Sequence, residues 1–537
     1  MYWLRRFTIV TVPLALIIFV ATYLPVILDP SNRGPESRAR DRLWVSSSPY
    51  FWDRQACRWI SLCGLHHLRR DPAVLPPILD DDPEDELLRV ELRKRMDSKR
   101  MDRTWEEDAE LNAPNPELRK SKRSDMKRNP KERRRILRDV PQYVLDHAPL
   151  VHLYSGEQFW PSDIREHIEH MTVTVDHKRV NLTEKVSLHN LQALNRYDNQ
   201  MVTLHSREDV ESRPSWLHSH DNLPSPFDDP DASTPPPVGN GRKPHSEPDT
   251  WFDVDKKHPV HRISDPRNHN VPAYAPTPSP GKEQQKVIPR GHKPDPDGYS
   301  KAPATLVLVD KGSGIVDAFW FFFYSYNLGQ TVIGLRFGNH VGDWEHCMVR
   351  FQNGVPRGIF FSEHEGGQAY AWEAIEKRGI RPVIYSAVGS HAMYALPGIH
   401  PYVLPFKMLK DVTDKGPLWD PALNNYAYFY DYTLENPKDT IEHEDGIAEQ
   451  GLTHDTHSFT PAASNPDAPV TWLHYQGRWG DETYTLADMR QWRLFGQYHY
   501  VTGPSGPKFK NLERQTLCPA RNCRLLYEID PKGTWYH

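Results

Sequence analysis

Cysteine is scarce. Five in 537 residues exclude a scaffold built on disulfides. Apolar residues make up only 38 % of the chain, and proline outnumbers glycine 49 to 30, which argues against a chain folded throughout. Neither charge dominates, with 66 Lys and Arg facing 71 Asp and Glu, so there is no general basic surface for nucleic acid. Collagen, coiled-coil and polytopic membrane patterns are missing. So are a GxGxxG after a strand, a Walker loop, a GxSxG elbow, an HExxH helix and any solenoid or propeller repeat. What remains is a globular protein with long polar inserts and, near its start, one hydrophobic segment.

That segment, Phe7–Leu28, holds 22 residues without a charge, behind Arg5 and Arg6. A helix of about 20 residues crosses a hydrocarbon core. The run is longer than the apolar part of a cleaved signal and ends in Tyr-Leu-Pro-Val-Ile-Leu, a poor cleavage site. It reads as a transmembrane signal anchor, with a cleaved signal as the alternative. Arg33, Arg38, Arg40 and Arg42 beyond it pull against a cytoplasmic Arg5-Arg6 end. Long following domains cross largely regardless of charge, so residues 1–6 are expected to be a short cytoplasmic tail and the body lumenal. The sequon Asn181-Leu182-Thr183 fits that side. So do the pairs Cys57/Cys63 and Cys518/Cys523, which could bond locally or across the chain. Cys347 is left over and reads as buried.

Residues 29–140 read as a lumenal stalk. Within it, 43–77 carry Trp44, Phe51, Trp52 and Trp59 and are expected to cover the body, the chain's tryptophans in general reading as core. From about 80 to 140 more than half the residues are charged, too many to offset their ordering entropy by burial. The basic part, Arg119 to Arg138, reads as solvated linker; a lumenal location removes nucleic acid as a partner. A second disordered insert, 206–300, is rich in Pro, Asp, Ser and His. The folded body is thus expected from 141–205 together with 301–530.

Its signal is β-rich. Short strands are expected at Thr305–Val309, Phe319–Tyr326, Trp344–Phe351, Gly358–Ser362, Pro382–Val388 and Trp472–Tyr475, with a further apolar run at His147–Tyr154. A helix starts at Pro161–Ile164, capped by Ser162 or Asp163. Tyr370–Arg378 and Leu486–Phe495 look helical. The class read from this pattern is mainly β: an antiparallel β-sandwich-like body with peripheral helices, an N-terminal transmembrane helix and long disordered inserts.

Alternation along 341–351 places Asp343, Glu345, Cys347, Val349 and Phe351 on one face, and His340, Trp344, His346 and Met348 on the other. Two carboxylates at that spacing stand about 7 Å apart, suiting a shared divalent metal or an acid/base pair. The plainer reading has Asp343 accepting loop amides and Glu345 pairing with a base such as Arg350. His364 and His391 follow strands in small-residue loops. With Asp343 and Glu345 they make a candidate site for a catalytic divalent metal; alternatively they are loop hydrogen-bonders. Ser390 is a poor nucleophile, because its neighbour His391 would point away in extended chain. Asp411, Asp414 and Asp420 read either as a Ca²⁺ loop or as Asp turns.

Several runs together resemble a known family. They are Gly338-Asn-His-Val-Gly-Asp-Trp-Glu-His346, Arg381–Tyr385 followed by Gly389–Ala392, Pro397–His400, Asp411–Gly416 with Trp419–Pro421, Arg478–Asp481 and Gly503–Pro507. In this order they are similar to the fungal vacuolar protein sorting-associated protein family numbered sixty-two, over about 141–190 and 301–525. The resemblance implies an endomembrane protein acting in delivery to the vacuole, with protein cargo as partner, and it brings no catalytic residues. Two functions are therefore expected. The first is a membrane-anchored binding module. The alternative is a lumenal metal-dependent hydrolase using Asp343, Glu345, His364 and His391.

Overall fold

The computed structural model describes residue 11 and residues 35–70, 137–197, 200–212, 214–217, 292–364, 366–401, 409–434, 458–519 and 523–529. Phe7–Leu28 and the charged stretch 80–140 fall outside these residues apart from Thr11 and 137–140, as does most of the insert 206–300. Among the described residues, no helix is long and apolar enough to cross a membrane.

The elements that matter for the site run in chain order. Helices α1 (Pro35–Ser46) and α2 (Phe51–Ile60) come first, then strand β1 (Leu150–His152) and helix α3 (Ile164–Glu169). Next come β2 (Met171–Val175) and β3 (Val202–Ser206), then β4 (Ala304–Gly312), β5 (Ile315–Asn327), β6 (His340–Gln352), β7 (Val355–Glu363) and β8 (Gly366–Ala371). They are followed by β9 (Arg381–Ser386), β10 (Asn425–Tyr430), β11 (Phe459–Pro461) and β12 (Leu525–Leu526). Asp163 caps α3 by accepting the Arg165 amide, as the sequence suggested.

Eight strands form the central sheet in the order β11-β10-β4-β5-β6-β7-β8-β12. β5 and β6 form its spine, because both are 13 residues long and pair over nearly their whole length. Side chains alternate across the pleat, and here both sides are buried. Phe319, Phe321, Phe323, Trp344 and Met348 fill one core. Trp320, Phe322, Tyr324, Cys347, Val349 and Phe351 fill the other. That explains a run as unbroken as Phe-Trp-Phe-Phe-Phe-Tyr: a strand covered on both faces has no polar side to keep.

The body is mainly β, but two details of the expected sandwich need correcting. First, the sheet is mixed. β10 lies parallel to β4, β12 parallel to β8, and β9 parallel to β1 in the smaller sheet. The chain leaves β4 at Gly312 and returns to its other side only at Asn425, and such a long crossover permits a parallel neighbour. Second, there are three layers. One face of the central sheet carries the smaller sheet around β1 and β9; the other carries β2, β3, short helical turns and the late loops.

Local readings fail where tertiary pairing wins. Tyr370 and Ala371 continue β8 against Ile359 and Gly358 instead of opening a helix. Leu486–Phe495 is turns and a short strand, Arg493–Leu494, paired with Leu62–Cys63. Thr471–His474 is a 3₁₀ turn, not a strand. Val210, Trp216 and Leu217 are core residues although they lie beyond Ser206, where the sequence suggested that an insert begins.

The N-terminal cap also departs from expectation. Trp44 docks on the body: its indole donates to the Tyr484 carbonyl at 2.8 Å and lies under the Arg493 guanidinium. Asp53 ties the cap together by accepting from the Ser48 hydroxyl and the Gly64 amide. Phe51, Trp52 and Trp59, however, point to solvent. Both disulfides are local, Cys57–Cys63 and Cys518–Cys523, and Cys347 is a buried free thiol.

Candidate functional site

Asp343 and Glu345 project from β6 toward the smaller sheet, on the face that alternation assigns to them, and both are buried. Facing them is the tight turn after β9. There the His391 amide donates to the Ala387 carbonyl, and both Gly389 and His391 adopt left-handed backbone. A Cβ at Gly389 would meet the Leu328 carbonyl at 2.5 Å, so this turn needs glycine for its space as well as its φ of 71°.

The turn aims His391 into a fully buried place between two carboxylates. Nδ1 is 2.9 Å from Asp343 Oδ2, and Nε2 is 3.1 Å from the Phe159 carbonyl and 3.7 Å from Glu157 Oε1. Burial alone would strip the proton from this imidazole. Glu157 and Asp343 outweigh burial and hold it up at about 10. Glu157 is itself fixed by three backbone amides, those of Gln158, Phe159 and Gly389. The result is a carboxylate–imidazolium–carboxylate triad laid over the Tyr324 ring.

A second cluster lies on the other side of the same turn, because neighbouring residues point opposite ways. Ser390 donates to Asp411 at 2.7 Å. Asp411 also accepts from Tyr394 at 2.7 Å and Gln330 at 3.2 Å, and pairs with His364 Nε2 at 2.7 Å. Burial would raise Asp411, yet His364 outweighs it and holds it below its usual range. His364 is in turn held up at about 9: burial opposes its charge, but Asp411 prevails. It stands at the rim, with about 34 % of its side chain exposed.

Glu345 lies between the clusters and accepts from the Ser362 hydroxyl. Burial first, then the charge of Asp343, raises it to about 8. Glu363 rises to about 8 through burial, with Asp411 and Glu345 adding to it, and its buried Oε1 has no hydrogen-bond partner. Burial thus favours the protonated form of both carboxyls. On the opposite face of β6, His346 sits among Phe319, Phe321 and Phe360, and burial drives it well below its usual value.

The structure thus separates the four suspected metal ligands. Asp343 and His391 share one cluster, His364 belongs to the other, and Glu345 lies between. Both ring nitrogens of His391 are already engaged, Nδ1 by Asp343 and Nε2 by the Phe159 carbonyl. Among the described residues, no three His, Cys, Asp or Glu side chains are grouped to hold one metal ion. Arg350, offered as a partner for Glu345, pairs with Asp317 instead. The three aspartates of 411–420 do not converge either. Asp414 binds Ser155 and the Gly416 amide, and Asp420 pairs with Arg381 and caps the Ala422 amide.

Glu157 is the residue the sequence hid. It lies 232 positions from Gly389 and in no recognisable motif; its only signal is an acid set just before Phe159-Trp160. A second hidden relation joins two similar runs, Val-Gly-Asp-Trp-Glu345 and Arg-Trp-Gly-Asp-Glu482. They look too brief for a repeat, yet they cross in space. A Cβ on Gly342 would meet the Trp479 carbonyl at 2.2 Å, and one on Gly480 the Val341 carbonyl at 1.7 Å. Gly503 closes on Gly480 from the other side, at 2.6 Å by the same measure.

Comparison with known proteins bears on the same runs. The family described as Vacuolar protein sorting-associated protein 62 matches residues 312–403, from the end of β4 past the His391 turn. Two proteins of Saccharomyces cerevisiae are similar over most of the chain. "Putative vacuolar protein sorting-associated protein TDA6" is 33 % identical over 414 residues, covering 71 % of this chain and 68 % of that one. "Vacuolar protein sorting-associated protein 62" is 34 % identical over 465 residues, covering 83 % and 79 %. Among solved structures, Necrosis and Ethylene inducing Protein 2 from the causal agent of cocoa's Witches Broom disease overlaps 20 % of this chain and 49 % of its own, with 21 % identity and a TM-score of 0.14. That overlap is too slight to bear on the fold.

Proposed function

Because this chain belongs to the Vacuolar protein sorting-associated protein 62 family, we propose that it serves protein delivery to the vacuole, as a single-pass endomembrane protein whose lumenal β body binds cargo. The observation that carries this reading is the likeness, over most of the chain, to two proteins named for vacuolar sorting. The site's chemistry agrees with a binding role. His391, Asp343 and Glu157 answer one another's charges, which makes a rigid core beneath the surface. Ser390 donates to Asp411 and Ser362 to Glu345, and burial pushes the Cys347 thiol up.

The anchor is Phe7–Leu28, and Asn181, exposed ahead of the turn at 188–190, is the glycan acceptor. Cells lacking the chain should secrete cargo that normally reaches the vacuole. Glycosidase should shift the wild-type protein on a gel and leave Asn181→Gln unchanged. Normal vacuolar delivery in the deletion strain would sink the sorting role. Digestion of the whole body by protease added to intact microsomes would sink the orientation.

A second reading, a metal-dependent hydrolase, keeps one supporting observation. Glu345 is forced to hold a proton by burial and by Asp343, and a divalent cation between the two would release it. His364 and His391 are engaged elsewhere, so this reading reduces to the Asp343–Glu345 pair. Chelation should then lower the melting temperature of the wild type but not of Asp343→Asn. An unchanged wild-type melting curve, with no metal co-purifying, would end it.

A further inference from the structure

The cap formed by α1, α2 and the Leu62–Arg70 segment carries an apolar face that, among the described residues, nothing covers. Asp53 and Cys57 turn inward on α2, so Phe51, Trp52 and Trp59 fall together on the outer side. Trp52 is 80 % exposed, and Tyr50, Ile60 and Leu65 of the same cap are exposed as well. Phe495 joins them from far along the chain, because its amide donates to the Ser61 carbonyl and sets it beside Ile60. A patch of this composition on a folded surface marks a contact site, since water is a poor neighbour for so many clustered rings.

We propose that this face is a membrane-interface foot, lying on the lipid bilayer that Phe7–Leu28 spans. The inference rests on the anchor reading above and adds a second point of attachment to it. Chain length supports it first. Six residues lie between Leu28 and Pro35, so α1 begins seven Cα steps, or about 25 Å, from the membrane surface at full stretch. Composition supports it next. Trp and Tyr prefer the headgroup level, where an apolar body and a polar edge are both satisfied.

Charge supports it last. Residues 35–70 hold seven arginines against Glu36, Asp41 and Asp53. Two of those acids are engaged inside the protein, Asp41 by Arg493 and Asp53 by Ser48 and Gly64. Arg38, Arg40, Arg42 and Arg58 are exposed, and guanidinium groups suit lipid phosphate. An aromatic face flanked by arginines is the composition of a helix that lies in the interface plane. The cap is tied to the body by the Leu62–Leu494 pairing, the Trp44 indole on the Tyr484 carbonyl and the Asp41–Arg493 pair, so the foot would fix how the whole β body stands over the membrane.

The test uses the full chain in lipid nanodiscs, with an environment-sensitive fluorophore on Trp52→Cys and, separately, on Trp59→Cys. Cys347 is buried and does not compete for the label. Both probes should emit blue-shifted and lose intensity when the lipids are brominated. Water-like emission from a chain that resists carbonate extraction would overturn the foot while leaving the anchor standing. Blue-shifted emission that brominated lipid does not quench would also overturn it, and would assign the face to a second copy or to another segment of this chain. A chain stripped from membranes by carbonate would remove the anchor and the foot together.

Discussion

Tyr324 lies flat on His391, with ring centroids 3.6 Å apart and planes 4° from parallel. Tyr324 also stands opposite Asp343 in the ladder between β5 and β6. One rung of the sheet therefore supplies both the carboxylate and the aromatic floor of the same imidazolium. A charged ring over a π face is attracted to it, and more strongly where water is absent.

Removing that ring should be costly. His391→Ala leaves Asp343 and Glu157 buried with no cation between them, and breaking such a pair costs about 3–5 kcal/mol. The loss should shrink on a Glu157→Gln background, where only one charge is stranded. Denaturant unfolding of the two single variants and the double variant measures this, and strictly additive losses would refute the triad.

Stability should fall as pH rises from about 6.5 to about 8. Glu345 and Glu363 keep their protons to about 8 in the folded state and lose them near 4.3 when unfolded, so rising pH favours unfolding across that interval. His364 and His391, raised to about 9 and about 10, contribute stability that is complete below about 6.5 and is lost as pH climbs through those values. Below 6.5 the trend is opposed by His152 and His400, which burial lowers to about 4 and which resist charging. Above 8, Lys311, lowered to about 8 by burial, acts against the fall. Melting temperature across pH 5 to 9 should peak near 6, and Glu363→Gln should flatten the limb between 6.5 and 8. A peak at or above pH 8 would contradict the assignment.

Gly480→Ala should abolish folding. Its Cβ would overlap the Val341 carbonyl, which is fixed in β6 and cannot move aside. Gly379→Ala meets nothing within 4 Å and should cost only the strain of its left-handed backbone, about 1 kcal/mol. Soluble yield and circular dichroism of the two variants provide the contrast, and equal behaviour would refute the crossing.

Cleavage of the charged stretch should free the body without reductant. Lys99-Arg100, Lys122-Arg123, Lys127-Arg128 and Arg133-Arg134 offer dibasic sites. Both disulfides close on their own side of that stretch. After digestion with a dibasic-specific protease, a denaturing gel should show the C-terminal piece separated from the N-terminal one with and without thiol. A fragment pair seen only under reduction would contradict the local bridges.

The strands of the spine were legible because their composition leaves few alternatives. Thr305–Val309, Phe319–Tyr326 and Trp344–Phe351 all lie within the strands found, and the face assignment of Asp343 and Glu345 holds. Less legible was anything decided by a distant partner. Alternation could place Asp343 on a face, but it could not say that Glu157 and His391 would meet there. It also could not show that Trp59 faces outward, since a helix with aromatics on it reads the same whether they are buried or bare. His364 and His391 were found through their strand-end loops; their separation into two clusters follows from a left-handed turn that no spacing rule announces.

Trp479 reaches its place against Trp344 only by way of the glycine crossing at Val341–Gly342. On the growing chain it follows Gly342 by roughly 140 residues, about 7–30 s of synthesis. Through that interval Trp344 is covered by β2 and β3 but lacks the Trp472 and Trp479 rings that pack on it, so this core is completed only as the last quarter of the chain is made.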